Sequence, residues 1–299
     1  MKGICKLCEK EKELRESHVI PSFVYKWIKD SSGSGYLRFG ETPNKRVQDG
    51  LKYYWLCDDC EGIFSEWERL FANNVFHPTV KGNAGKKEYS DWLLKFCVSV
   101  SWRVLTLYLQ DSELENFNDE LKTKAKHTQN VWREFLLAKR PHPGKHEQHL
   151  LPLDAIESHT HDNMPENINR YILRSVDTDA VAGERTAFIY SKLERFVIVG
   201  FIEMPNPRHW DGTKVHVKHG SVGPSNYMLP QEFGDYFFGQ ANKARTIQKK
   251  ISKKQNDKIA QTFKQNIDKL ADTETMRALS EDMRLLGKNI FNKTDTDEQ

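Results

Sequence analysis

The apolar pattern is densest between Tyr89 and Gln110. There Trp92, Phe96, Val100, Val104 and Leu107 recur at helical spacing. Leu94, Val98, Trp102, Leu105 and Leu109 cover much of the opposite side. A helix apolar nearly all round belongs at the centre of a core. Ser112 followed by Glu115 has the spacing of a capping box and predicts a second helix running to about Lys139. Upstream, Pro21 to Lys29 predicts a short helix with Phe23, Val24, Trp27 and Ile28 as its stripe. Tyr36 to Phe39 and Leu51 to Leu56 predict strands, the second leading straight into Cys57. The helix from Asp58 sets Ile63, Phe64, Trp67, Leu70 and Phe71 along one side. Val80 to Lys87 reads as a linker or exposed loop.

Downstream the pattern weakens and then changes period. From Pro141 to Asn167 the chain is rich in Pro and His and reads as a surface loop. His142, His146, His149, His159 and His161 are incidental to it, with a second metal site as the alternative. Arg170 to Val176, Arg185 to Ser191, Arg195 to Met204 and Lys214 to Lys218 carry the β-branched and aromatic residues of strands. A hairpin turn at Ser191 to Glu194 pairs Ala187–Tyr190 with Phe196–Val199 in an antiparallel sheet. In the last third, Ile247, Ile251, Ile259, Phe263, Ile267 and Leu270 recur mostly at four-residue steps, and Met276, Leu279, Met283 and Leu286 mark a final short helix. The expected fold is α+β, in four stretches: residues 1–80 a zinc module, 81–140 a helical core, 141–235 an α+β region with antiparallel strands, and 236–299 a basic amphipathic helical C-terminus.

Composition narrows the class. The chain has 299 residues, 38% hydrophobic and 29% charged, with a formal net charge of +3. A sizeable core is therefore available, and overall charge does not by itself announce a nucleic-acid partner. Charge is local instead. Over residues 243–270 nine cations, including Lys249, Lys250, Lys253 and Lys254, face only Asp257 and Asp268. Such a helix docks by its apolar side and offers lysines to phosphates, or else carries a solubilising face. The N-terminus shows no signal sequence. The apolar run Phe96 to Leu109 is too short to span a bilayer and contains Arg103. The expectation is a soluble, cytoplasmic protein with no membrane partner, in which Cys97 is a buried core residue; oligomeric state is left open. No Gly-rich phosphate loop, nucleophile elbow or kinase signature appears, and no constellation in 141–235 suggests an enzyme centred there.

The candidate chemistry lies in the first quarter. Cys5-Lys6-Leu7-Cys8 and Cys57-Asp58-Asp59-Cys60 are two C-x-x-C pairs. Each folds as a tight turn that aims two sulfurs at one ion, and the two together complete a tetrahedral four-cysteine zinc shell. A full four-sulfur shell is structural rather than catalytic. His18 is then left without a zinc to bind.

The order C-x-x-C, Ser17-His18-Val19-Ile20-Pro21, Leu56-Cys57-Asp58-Asp59-Cys60-Glu61 resembles the zinc-bearing HNH endonucleases, the ββα-metal or treble-clef nucleases. The resemblance covers the first quarter of the chain only. It implies that His18 is the general base that takes a proton from the attacking water, a role that suits histidine side chains in general. It also implies that Glu61, standing where the family usually places a histidine, is a ligand for a catalytic magnesium or manganese ion. An acid in the first helical turn is equally what the helix dipole favours, and Glu66 and Glu68 further along read as solvated charge. Ser17 stands where the family commonly has Asp or His. The family's Asn has no matching position, with Asn44 and Asp49 nearest.

Metal-dependent cleavage of nucleic acid thus leads, DNA before RNA, in the setting of a bacterial restriction or antiphage system and with a possible partner or activator protein. The alternative is a non-catalytic zinc module that binds nucleic acid or a partner protein.

Overall fold

The computed structural model describes residues 1–83, 85–111, 114–160, 163–204, 206–265 and 270–287. Its chain groups into two compact units, each assembled from separated segments. Unit 1 comprises Met1–Val24, Gly50–Pro152 and Val176–Pro230, and unit 2 comprises Tyr25–Asp49, Leu153–Ser175 and Gln231–Gln299. The fold is mixed α+β, with a cysteine cluster at the N-terminus and helices at the C-terminus.

Unit 1 contains three sheets. Strands β1 (Lys2–Ile4), β2 (Glu11–His18) and β3 (Lys52–Cys57) form an antiparallel sheet in that order. Helix α1 (Ser22–Asp30) begins just after β2, and α2 (Asp58–Phe71) starts directly from β3. Through a π turn, Ala72–Phe76, α2 continues into α3 (His77–Val80). A two-stranded sheet pairs β4 (Lys87–Ser90) with β9 (His219–Val222). The largest sheet has β5 (Gln148–Pro152), β8 (Phe196–Glu203), β7 (Ala187–Leu193) and β6 (Val176–Ala182) in spatial order 5-8-7-6, all antiparallel.

The core forms around α4 (Trp92–Gln110), which packs on this sheet, on α2 and on α5 (Asp119–Leu136). As its all-round apolar pattern predicts, residues from Leu93 to Leu107 are buried with the exception of Lys95. The helix is longer than the apolar run at its centre and is long and apolar enough to cross a membrane, yet 83% of that window is buried inside the fold. Phe71 of α2 stacks on Phe96 with ring centroids 4.1 Å apart and meets Phe196 edge-on. At Gly200 the sheet comes so close that a Cβ would lie 2.6 Å from Ser101 Oγ. Cys97 is fully buried, and burial pushes its thiol up, as suits an inert core sulfur.

Several expectations change here. The second core helix starts at Asp119, where the Asn118 side chain accepts the Leu121 N–H; Ser112 lies outside the described residues. The hairpin keeps its expected pairing, with Tyr190 opposite Val199, but its turn is Glu194–Arg195. Lys192, Glu194 and Arg195 there are buried, and burial lowers the Lys192 ammonium to about 7 against the pull of Glu194 and Asp177. Lys214 to Lys218 makes only an isolated bridge, Lys214 to His149.

Two of the histidines read as surface residues are core. His146 is 3% exposed and bonds Thr128 Oγ1 through Nδ1, while His149 is 1% exposed and bonds Thr213 Oγ1. Burial holds the His146 imidazole down to about 4 and lowers that of His149. His161 lies outside the described residues.

Unit 2 is helical. Arg170 to Val176, expected as a strand, is mostly α6 (Ile168–Arg174). The reason is a distant cap: the buried Asp282 carboxylate accepts the backbone N–H groups of Asn169 and Arg170, and the Arg170 side chain. The expected single basic helix is broken into α7 (Gln231–Lys249) and α8 (Lys253–Gln265). Asp282 sits on α9 (Glu274–Leu286). Ile267, Asp268 and Lys269 lie outside the described residues. Tyr36 to Phe39 forms no strand; Leu37 instead bridges Val47 and closes a loop.

Candidate metal centre

The two C-x-x-C pairs meet. The sulfurs of Cys5, Cys8, Cys57 and Cys60 lie within 4.8 Å of one another, and Cys8 and Cys57 are 3.9 Å apart. A tetrahedral zinc with bonds of about 2.3 Å separates its sulfurs by about 3.8 Å, so the donor set fits that ion. The first pair occupies a tight turn after β1, where Glu9 N–H returns to the Cys5 carbonyl and Glu9 takes φ 58°. Lys6 N–H bonds the Trp55 carbonyl, tying this turn to β3. Cys57 ends β3 and caps α2, Cys60 sits in the first turn of α2, and the Cys57 N–H donates to Cys5 Sγ at 3.4 Å. Lys12–Asp59 at 2.5 Å and Arg15–Asp58 at 3.0 Å join β2 to the same turn. These pairs are exposed and add little stability. The N-terminal module is thus a four-cysteine cluster that can coordinate a metal ion, with zinc the matching element, in a structural role.

A second constellation lies beside it. β2 ends in Ser17-His18, opposite Tyr53 and Lys52 of β3. Ser17 is fully buried, and its hydroxyl donates to Glu61 Oε2 at 2.6 Å. Glu68, two turns further along α2, bonds the Arg103 guanidinium at 2.7 Å. Arg103 comes from α4, is 1% exposed, and also donates to the His18 carbonyl at 2.9 Å and the Ser99 carbonyl at 3.2 Å. Its guanidinium lies over the Phe64 ring, 5.2 Å from the centroid.

Burial pushes the Glu68 carboxyl up, opposed by Arg103; the charges of Glu61, which raises it further, and His18 also reach it. The charges of His18 and Glu61 thus both act on Glu68. Among the described residues, however, only the four sulfurs form a ligand group closed within 4.8 Å.

Glu68 corrects its reading as solvated charge. Arg103 is visible in the sequence as the lone charge of the apolar run Phe96 to Leu109, and such a residue needs an acid partner. Which acid answers it is not visible there. Replacing Arg103 with Met keeps most of the side-chain length and leaves the Glu68 carboxylate without its cation. Urea unfolding of Arg103→Met is expected to show a loss of about 3–5 kcal/mol.

Asn44 and Asp49 belong to unit 2, and the Asn44 amide is engaged with the α7–α8 turn. Lys249 ends α7, Lys250 lies in the break, and Lys253 and Lys254 open α8; all four are exposed. No protein-family model, curated protein or solved structure matches the chain.

Proposed function

We propose that this chain is a metal-dependent endonuclease of the HNH type, with DNA its favoured substrate and the His18–Glu61–Glu68 locus its active site. One observation carries the reading. The hydroxyl of Ser17, one residue before His18, reaches 2.6 Å to Glu61 on the helix that leaves β3, so the strand end that carries His18 lies against the helix start that carries Glu61. Strand, antiparallel strand and helix follow in the order a ββα-metal site requires, and the cysteine cluster staples the turn where β3 becomes α2. Such a staple keeps catalytic side chains on rigid elements.

In this reading the His18 imidazole takes the proton of the attacking water. Glu61, with Glu68 behind it, would hold a magnesium or manganese ion, since carboxylates suit these oxygen-preferring cations. Such an ion would supply charge stabilisation at the scissile phosphate. Ser17 orients Glu61, and Arg103 fixes both Glu68 and the backbone of His18. Lys249, Lys250, Lys253 and Lys254 hold the substrate backbone, and the setting is a restriction or antiphage system with a partner or activator protein. The test is Glu61→Ala. Cleavage of plasmid DNA in magnesium is expected to be lost, and raised manganese to restore part of it. Full activity in Glu61→Ala removes Glu61 from the site.

A second reading draws on the same contacts. Both carboxylates already have protein partners, and position 17 is Ser. A zinc module that binds nucleic acid or a partner protein without cutting would show binding and no cleavage.

A further inference from the structure

We propose that unit 2 carries a two-armed phosphate-binding surface, in which the loop 36–47 is clasped to the α7–α8 turn so that cations from two distant segments face one nucleic-acid backbone. The choice of partner rests on the nucleic-acid reading above. The surface itself rests on a separate set of contacts.

The clasp is Asn44. Its side-chain Oδ1 accepts the Ser252 N–H at 2.7 Å, and its Nδ2 donates to the Lys250 carbonyl at 3.2 Å. One amide thus satisfies two of the backbone polar groups at the break between α7 and α8. The loop is closed on itself by the Leu37–Val47 bridge and by Arg38, which donates to the Pro43 carbonyl at 2.9 Å. Arg38 also reaches Gln255 of α8 at 3.2 Å. At Gly40 the approach is tight, since a Cβ would lie 3.0 Å from Ile247 Cδ1 of α7. Four contacts therefore fix the loop against the turn, although more than 200 residues separate Asn44 from Lys250 and Ser252.

This clasp joins the loop that carries Lys45 and Arg46 to the turn flanked by Lys249, Lys250, Lys253 and Lys254. Arg46 is held over the Tyr36 ring, 4.6 Å from its centroid, which orients the guanidinium without spending it on an acid. Arg46 also adds to burial in holding the Arg38 guanidinium below its ordinary range, the mark of two cations brought together. The ion pairs of unit 2 include Arg170–Asp282, Arg245–Glu166, Arg277–Glu274 and Arg284–Glu281. Among the described residues, none of these acids engages the six cations. Long cations that no ion pair engages among the described residues, spread over two arms, suit phosphates that repeat along a strand and are read without regard to sequence.

The experiment is fluorescence anisotropy of the full chain with labelled single-stranded DNA, duplex DNA and RNA, without added divalent ion and across a salt series. Lys45→Glu/Arg46→Glu and Lys250→Glu/Lys253→Glu are each expected to weaken binding at low salt at least tenfold. Each flattens the slope of log affinity against log salt by roughly two, at about 0.9 per duplex phosphate contact. Asn44→Ala leaves every charge in place and is expected to weaken binding several-fold by releasing the loop. Circular dichroism checks the fold, and Lys45→Ala/Arg46→Ala repeats the test should the reversed pair misfold.

Wild-type affinity and slope in both loop variants overturn the proposal, as does binding to anionic vesicles but not to nucleic acid. Wild-type protein that binds through this surface but does not cleave would count against the nuclease reading alone. Intact cleavage with no contribution from Lys45 and Arg46 would count against the surface alone.

Discussion

Cys57→Ser is expected to strip the metal and unfold the N-terminal module. Cys57 is 1% exposed, ends β3 and starts α2, so its sulfur holds both the metal and the corner from which α2 grows. The sheet beside it is small: β1 has three residues and β3 six, too little to bury a core of its own. In such modules the metal supplies the folding energy, about 10–16 kcal/mol for zinc-finger peptides near neutral pH. That exceeds or matches the roughly 5–15 kcal/mol by which whole domains are stable. Metal analysis of wild-type protein purified without added zinc should give about one equivalent per chain. Cys57→Ser should fall well below that and become insoluble or lose hydrogen-exchange protection from β1 to α2. Cys97→Ala, in the core of unit 1 and outside the cluster, should keep its zinc. A folded, metal-free wild-type protein would contradict the structural role assigned to the four sulfurs.

The second large effect concerns His18. His18→Ala is expected to lower metal-dependent cleavage about a hundredfold to ten-thousandfold, the usual contribution of a general base. Zinc content and thermal stability should change little, for a reason visible in the contacts. Arg103 holds residue 18 through its backbone carbonyl, which alanine retains, and the hydroxyl of Ser17 makes the bond to Glu61. An unfolded His18→Ala would make the imidazole a structural group.

How much of this was legible in the sequence varied with the range of the interaction responsible. The cysteine cluster could be read because each C-x-x-C is a local turn with one geometry, and four thiols need one ion. The burial of α4 could be read because its apolar residues surround the helix. The nature of α6 could not, because its backbone is capped by Asp282 from more than a hundred residues away. The same holds for Glu68, whose partner Arg103 sits on another helix, and for His146 and His149, which a Pro-rich stretch disguises as loop residues. The break between α7 and α8 was hidden by an apolar repeat that continues across it; the deciding group, the Asn44 amide, lies in a loop with no periodicity. In the sequence Ser17 is a departure from a family pattern. Its contact with Glu61 gives it a positioning role that no spacing rule could supply.

The most direct measurement is a time course of plasmid and single-stranded DNA cleavage by the zinc-loaded wild-type protein, in magnesium and in manganese, beside His18→Ala at equal zinc content. The expected result is nicking or cutting that requires the divalent ion and is lost in His18→Ala. Metal-independent cleavage, equal rates in the two proteins, or binding without any cleavage under either ion would contradict an active site at His18, Glu61 and Glu68.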